Sequence, residues 1–319
     1  MSTPPTDDAP PTEAAQTDVM HLGPLTPDDG LRGRVIRAAA AALTDARAAQ
    51  AAATRDPEAA VLGVRKALRQ LRALVDLVGR TLPKRDRRDL VRGLSSARKL
   101  LGPARDQVVA RTLVDAIAPL HELTSAATAL HAAAEPDQVA PELIAADLER
   151  AVAEAVTQVD ALTAALPEVL RPRRVARGLA RTYRRARAAR KRARRSERAV
   201  HRWRRRTKEL IYQLAIVDAV PGAAEWRDAL RTLDDQLGPV VDHLMTKDYV
   251  RLYGGEADDA AALQAAVHDR LLAGLDAARK ASRGLFKRRA RKVRDQLTSS
   301  LAADAALGDT AQHDPGDAD

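Results

Sequence analysis

Residues 200–217 read VHRWRRRTKELIYQLAIV, and the spacing of their apolar and charged members decides what kind of fold the chain can adopt. At 100° per residue, Val200, Trp203, Thr207, Leu210, Leu214 and Val217 fall on one stripe of a helix, while His201, Arg204, Arg205, Lys208 and Tyr212 fall on a narrow face beside it. The stretch is therefore an amphipathic helix that packs on one side and presents cations on the other. It closes a longer basic run, Arg171 to Lys208, which holds nineteen Lys or Arg and a single acid, Glu197. Like charges along one helix repel and are costly to desolvate. A polyanion is the partner such a run requires.

Composition points the same way. Of 319 residues, 45% are hydrophobic and only 2% aromatic, with Ala and Leu dominant and β-branched residues sparse, which favours helix over strand throughout. The expectation is an all-α fold with a sizeable core. The chain has no cysteine, so disulfides, thiolate metal sites and cysteine nucleophiles are excluded, and a cytoplasmic location is expected. No apolar run approaches the length of a membrane span, and the N-terminus lacks the basic and apolar regions of a leader. The ends differ sharply from the body. Residues 1–30 hold six acids, six prolines and no Lys or Arg, and residues 302–319 hold five acids and no Lys or Arg. Both are expected to be disordered tails, flanking a body with 53 Lys and Arg against 32 Asp and Glu, a formal +21.

Taken in order, a first helix is expected from about Leu31 to Thr54. A second opens with Asp56 as N-cap, Pro57 at the first helical position and Glu58 in the first turn; it places Arg65, Arg69 and Arg72 on one face and Val64, Leu68, Leu71, Val75 and Val78 on another. LGPARD at 101–106 stops one helix and starts the next, with Asp106 as a helix-start acid. His121 and His131 match no metal-ligand spacing and read as surface or rim histidines. Pro136 and Pro141 mark a linker at the midpoint. Beyond the basic run, Pro221 and Gly222 end a helix, a shorter helix follows, and LGPVVD occupies 237–242. A last long helix, about 258–301, includes RKASRGLFKRRARKVR, with nine cations in sixteen residues and no acid.

The two halves echo each other. Setting Leu62 against His201 aligns Arg65 with Arg204, Lys66 with Arg205, Arg69 with Lys208 and Leu71 with Leu210, and Gly102 and Gly238 follow forty and thirty-seven residues on. The reading is an internal duplication, with a first half of about 31–135 and a second of about 141–301, whose cationic faces line one shared cleft.

The segments DPEAAVLGVRKALRQLR at 56–72, LGPARD at 101–106, YRRAR at 183–187, HRWRRRTKELIY at 201–212 and LGPVVD at 237–242 resemble the CHAD family, the conserved histidine α-helical domain, over about 31–301. The resemblance implies a bundle of two pseudo-symmetric halves with a basic central cleft that binds inorganic polyphosphate, at polyphosphate granules in bacteria. It implies phosphate contacts from Arg65, Arg69, Arg72, Arg184, Arg185, Arg187, His201, Arg204, Arg205 and Lys208, with no cofactor and no metal. The chain departs from the family pattern at Leu62, where the pattern has a histidine, and at Ile211, where it has a basic residue. The ExExK motif of the triphosphate-tunnel domain often fused to this family does not occur here.

Arginine suits this task because its planar guanidinium makes paired, charge-assisted bonds to phosphate oxygens, and 44 of the 53 cations are Arg. For His201 the alternative is a packing role beside Trp203 and Tyr212. Non-specific RNA or DNA binding would use the same cations, but four Tyr, two Trp and one Phe offer few platforms for stacking bases. Enzymatic turnover of polyphosphate would need clustered carboxylates for Mg²⁺ or a P-loop; there is no GxxxxGK[ST], and the basic strips are almost free of acids. The expectation is binding without catalysis.

Overall fold

The computed structural model describes residues 30–102, 104–134, 141–218, 220–254 and 258–311. Eleven α-helices occupy them: α1 Leu31–Ala51, α2 Pro57–Val78, α3 Lys84–Leu100, α4 Ala104–Ile117, α5 Thr124–Ala133, α6 Pro141–Ala165, α7 Pro172–Arg192, α8 Glu197–Ile216, α9 Ala223–Tyr253, α10 Asp258–Ala281 and α11 Ala290–Ala311. No strand occurs among the described residues, so the all-α expectation holds. No helix there is long and apolar enough to cross a membrane. The linker at 135–140 and the tails 1–29 and 312–319 lie outside the described residues, as does the side chain of Asp106.

Two helices form the centre. α2 packs against α1, α3, α6, α7 and α8, and α8 packs against α7 and α9 as well. The start of α2 follows its capping signal: the Asp56 side chain accepts from the Ala59 N–H at 2.9 Å, and Pro57 opens the helix. The stripe read on α8 is the buried one, with Val200, Trp203, Thr207, Leu210, Leu214 and Val217 all in the core. Gln213, also buried, donates from Nε2 to the Ala73 carbonyl at 2.9 Å and joins α8 to α2. A buried amide of this kind contributes register as well as energy, because its unpaired alternative is costly.

α7 lies close against the end of α2. A Cβ on Gly178 would stand 1.9 Å from the Leu77 carbonyl oxygen, so only glycine permits this approach. A second, smaller apolar cluster joins α4 and α5 to α9 and α10 through Val114, Ile117, Leu130, Tyr249, Leu263 and Val267. Meanwhile α6 packs on α1, α2 and α3. The segments on either side of the midpoint linker thus interleave in their packing.

Three sequence expectations change. α9 is one helix of 31 residues that continues through Pro239, because Leu237, Val240, Val241 and Leu244 are all buried and that burial outweighs the roughly 3 kcal/mol an interior proline costs. The last helix is two, α10 and α11, separated at 282–289 where Ser282 and Phe286 turn into the core. The acidic C-terminal tail begins later than residue 302: α11 runs to Ala311, and Asp304 pairs at 2.8 Å with Arg34, itself nearly buried. The Ala-rich sequence there has strong intrinsic helix propensity, and the pair fixes it to α1.

Candidate polyanion-binding site

Charged side chains gather where α2, α3 and α8 meet, with α7 alongside. A cleft of about 180 Å³ is lined by Leu68, Arg69 and Arg72 from α2, Leu94, Ser95 and Arg98 from α3, and Arg205, Arg206, Lys208, Glu209 and Tyr212 from α8. The apolar members form its floor. Helical spacing explains the cations: Arg69 and Arg72 flank the buried face of α2, and Arg205 and Lys208 do so on α8.

Two buried acids organise the arginines from below. Asp76, 2% exposed, lies 3.5 Å from Arg72 Nε, 3.7 Å from Arg206 Nη1 and 3.8 Å from Arg181 Nη2. Arg181 also donates to the Asp76 backbone carbonyl at 2.8 Å, which brings α7 into the group. Glu209 pairs with Arg206 and, at 4.0 Å, with Arg205. Burial raises the Glu209 carboxyl above the usual carboxylate range, opposed by Arg206. These contacts are ordinary structural pairs between buried ions, and each acid would be costly without its arginines.

Above them, cations crowd cations. Burial lowers the Arg205 guanidinium, and Arg206, Arg98 and Arg72 lower it further; Glu209 alone pulls the other way among its principal neighbours. Its side chain is nonetheless 46% exposed, so it faces the cleft mouth. Arg185 on α7 is lowered by burial and next by Arg206. A group of guanidiniums that depress one another is poised for anions, because bound phosphate relieves the repulsion as it forms hydrogen bonds.

The residues singled out in the sequence divide into three groups. Arg69, Arg72, Arg205 and Lys208 line the cleft, and Arg185 stands at its α7 edge. Arg65 and Arg204 occupy matched places beside the two LGP segments: Arg65 Nη1 donates to the Leu101 and Gly102 carbonyls at 2.5 and 3.0 Å, and the Arg204 guanidinium packs on Gly238 and pairs at 3.7 and 3.8 Å with Asp234 and Asp242. Lys208 also reaches Asp234, at 2.9 Å. Arg184, Arg187 and His201 lie outside the cleft lining; Arg187 donates to the Phe286 carbonyl at 3.0 Å, and Arg184 and His201 are exposed.

The packing alternative for His201 is therefore corrected. Trp203 is fully buried while His201 is exposed, because the two side chains point to different faces of α8. His131 sits at the rim, partly buried, with Nε2 at 2.8 Å from Asp115 and Nδ1 at 3.2 Å from the Tyr249 hydroxyl, so it ties α5 to α4 and α9.

Sequence reasoning missed Arg98, Arg206, Asp76 and Glu209. The signal for Asp76 is present in the sequence as a lone acid inside the apolar run ALVDLV. Arg98 carries no such mark, since the charged face of α3 looks like any solvated face. Among the described residues no group of three or more His, Asp or Glu side chains gathers as a metal site.

A family model described as the CHAD domain matches residues 37–250. Neither the curated proteins nor the solved structures yield a match to the chain.

Proposed function

The chain belongs to the CHAD domain family, and from that premise we propose that it binds inorganic polyphosphate in the cleft between α2, α3 and α8, without turning it over. The observation that carries this reading is the convergence of Arg72, Arg98 and Arg205 from three different helices on one cleft, whose lining acid Glu209 is itself paired with Arg205 and Arg206. Guanidiniums set this way match the oxygens of a slender phosphate chain, two bonds per group. Asp76 holds Arg72, Arg181 and Arg206 in place, and Glu209 orients Arg205 and Arg206 at the cleft. Affinity rests on displaced counterions and contains no sequence readout, since a phosphate polymer has none to offer. Retention at polyphosphate granules in the cytoplasm follows from such binding.

Sequence-independent RNA or DNA binding is the competing reading. The decisive experiment displaces labelled long-chain polyphosphate with RNA, duplex DNA and pyrophosphate at equal phosphate concentration. Polyphosphate should resist the nucleic acids. Displacement by RNA or DNA at equal phosphate would make the chain a general polyanion binder.

A further inference from the structure

One side of α7 packs beside the cleft. There Arg181 donates to the Asp76 carbonyl, and Arg185 stands near Arg206. About 200° round the same helix, Tyr183, Arg187 and Arg190 face the segment 282–289 between α10 and α11. Tyr183 donates its hydroxyl to the Arg288 carbonyl at 2.9 Å, Arg187 donates to the Phe286 carbonyl at 3.0 Å, and Arg190 donates to Ser282 Oγ and the Arg279 carbonyl at 2.6 and 2.8 Å. Arg279 returns a bond to the Arg190 carbonyl at 2.9 Å. With Ser282 and Phe286 buried as anchors, the segment is a fixed platform.

What the platform displays is cationic. Arg283, Lys287 and Arg289 are exposed, and no carboxylate pairs with them among the described residues. The acids at its borders are engaged elsewhere, Asp276 with Arg194 and Asp295 with Arg291 and Arg294. Burial lowers the Arg190 guanidinium, and Arg279, Arg283 and Arg187 all lower it further, with no opposing acid among its principal neighbours. Holding like charges in a rigid segment costs free energy that an anion would recover. Between platform and cleft, exposed Arg184 and Lys191 run along the outer ridge of α7. The platform lies outside residues 37–250, the part of the chain that matches the family model.

We propose that this ridge and platform extend the cleft into one track for a single phosphate polymer, so that long chains engage both surfaces and short chains the cleft alone. The inference rests on the polyphosphate reading and adds a chain-length class to it. A small anion would not need cations spread along a ridge, and a single-stranded nucleic acid would want exposed aromatic faces. Here Tyr183 and Phe286 are buried, and Arg288 covers Trp226 at 5.9 Å from the ring centre.

The test compares the full chain with its Arg283→Gln/Lys287→Gln/Arg289→Gln variant, titrated with tripolyphosphate, with long-chain polyphosphate and with RNA. Tripolyphosphate affinity should stay within about twofold, while long-chain affinity falls about tenfold and its salt slope becomes shallower by about two units. Arg184→Gln, on the solvent side of α7, should reproduce part of the long-chain loss without touching the platform. Equal losses for both ligands, or no loss for the long chain, would overturn the track. A loss confined to RNA would overturn it too, and would give the platform to nucleic acid. If the parent chain bound no polyphosphate of either length, the cleft assignment itself would fall, a result distinct from any of these.

Discussion

Arg206 Nη1 stands 3.7 Å from the Asp76 carboxylate, and this contact joins the two central helices, α8 and α2, directly beneath the candidate binding cleft. Asp76 also neutralises Arg72 and Arg181, so one buried acid fixes cations from three helices. Removing it should leave those arginines facing one another in a poorly hydrated place. We expect Asp76→Ala to lower stability by about 3–5 kcal/mol, measured by chemical denaturation, with part of the loss restored by added polyphosphate. Full stability in the variant would mean that the pairs contribute nothing.

Glu209 makes the cleft sensitive to pH. Its carboxyl is raised by burial, so its contribution to folding stability is fully present in acid, below its unfolded pKa, and is lost as pH rises through the folded value. Protonation also removes a negative charge from beside Arg205 and Arg206. Relative to Glu209→Gln, the native chain should therefore gain both stability and polyphosphate affinity as pH falls from neutral through the folded pKa of Glu209. Parallel pH profiles for the two proteins would contradict this.

Arg65 separates a structural role from a binding one. Its guanidinium is bonded to the Leu101 and Gly102 carbonyls at the end of α3. Arg65→Ala should cost about 1–3 kcal/mol through the orphaned carbonyls, while polyphosphate affinity, measured on the folded fraction, changes by less than about threefold. A large affinity loss with an unchanged melting temperature would place Arg65 among the phosphate ligands after all.

Gly178 tests whether the seating of α7 matters to the site. A methyl group there would collide with the Leu77 carbonyl oxygen, and backbone cannot yield as a side chain would. Gly178→Ala is expected to destabilise by about 1–3 kcal/mol and to weaken binding, because Arg181 and Arg185 move away from Asp76 with the helix. Ala at 178 with an unchanged denaturation midpoint would show that α7 has room to shift.

Much of this arrangement was legible in the sequence, and what was not has physical reasons. Periodicity located α8 and its buried stripe because Trp203, Leu210 and Leu214 recur at helical spacing. The Asp56, Pro57 and Glu58 signal placed the start of α2. Periodicity put Arg69, Arg72, Arg205 and Lys208 on charged faces beside apolar stripes, and all four line the cleft. Arg98 and Arg206 were missed because which charged residues converge depends on helix crossing, which spacing alone does not encode. Arg204 and Lys208 were read as phosphate ligands without their acids, since Asp234 and Asp242 lie on α9 and meet them only in the fold. The break at 282–289 was passed over because Arg and Lys dominate the stretch and are good helix formers, although Ser282 and Gly284 weaken a helix there; Ser282 and Phe286 turn into the core at that point.

The central claim is that the guanidiniums of the cleft, and not basic charge in general, hold polyphosphate. The measurement that addresses it most directly is the salt dependence of long-chain polyphosphate affinity for the native chain and for Arg72→Gln/Arg98→Gln/Arg205→Gln, with thermal melts run beside it. The account predicts a loss of at least about tenfold and a slope shallower by about two units, in a variant that remains helical and cooperatively folded. Unchanged affinity and slope in that folded variant would contradict it, and would move the binding surface away from the cleft.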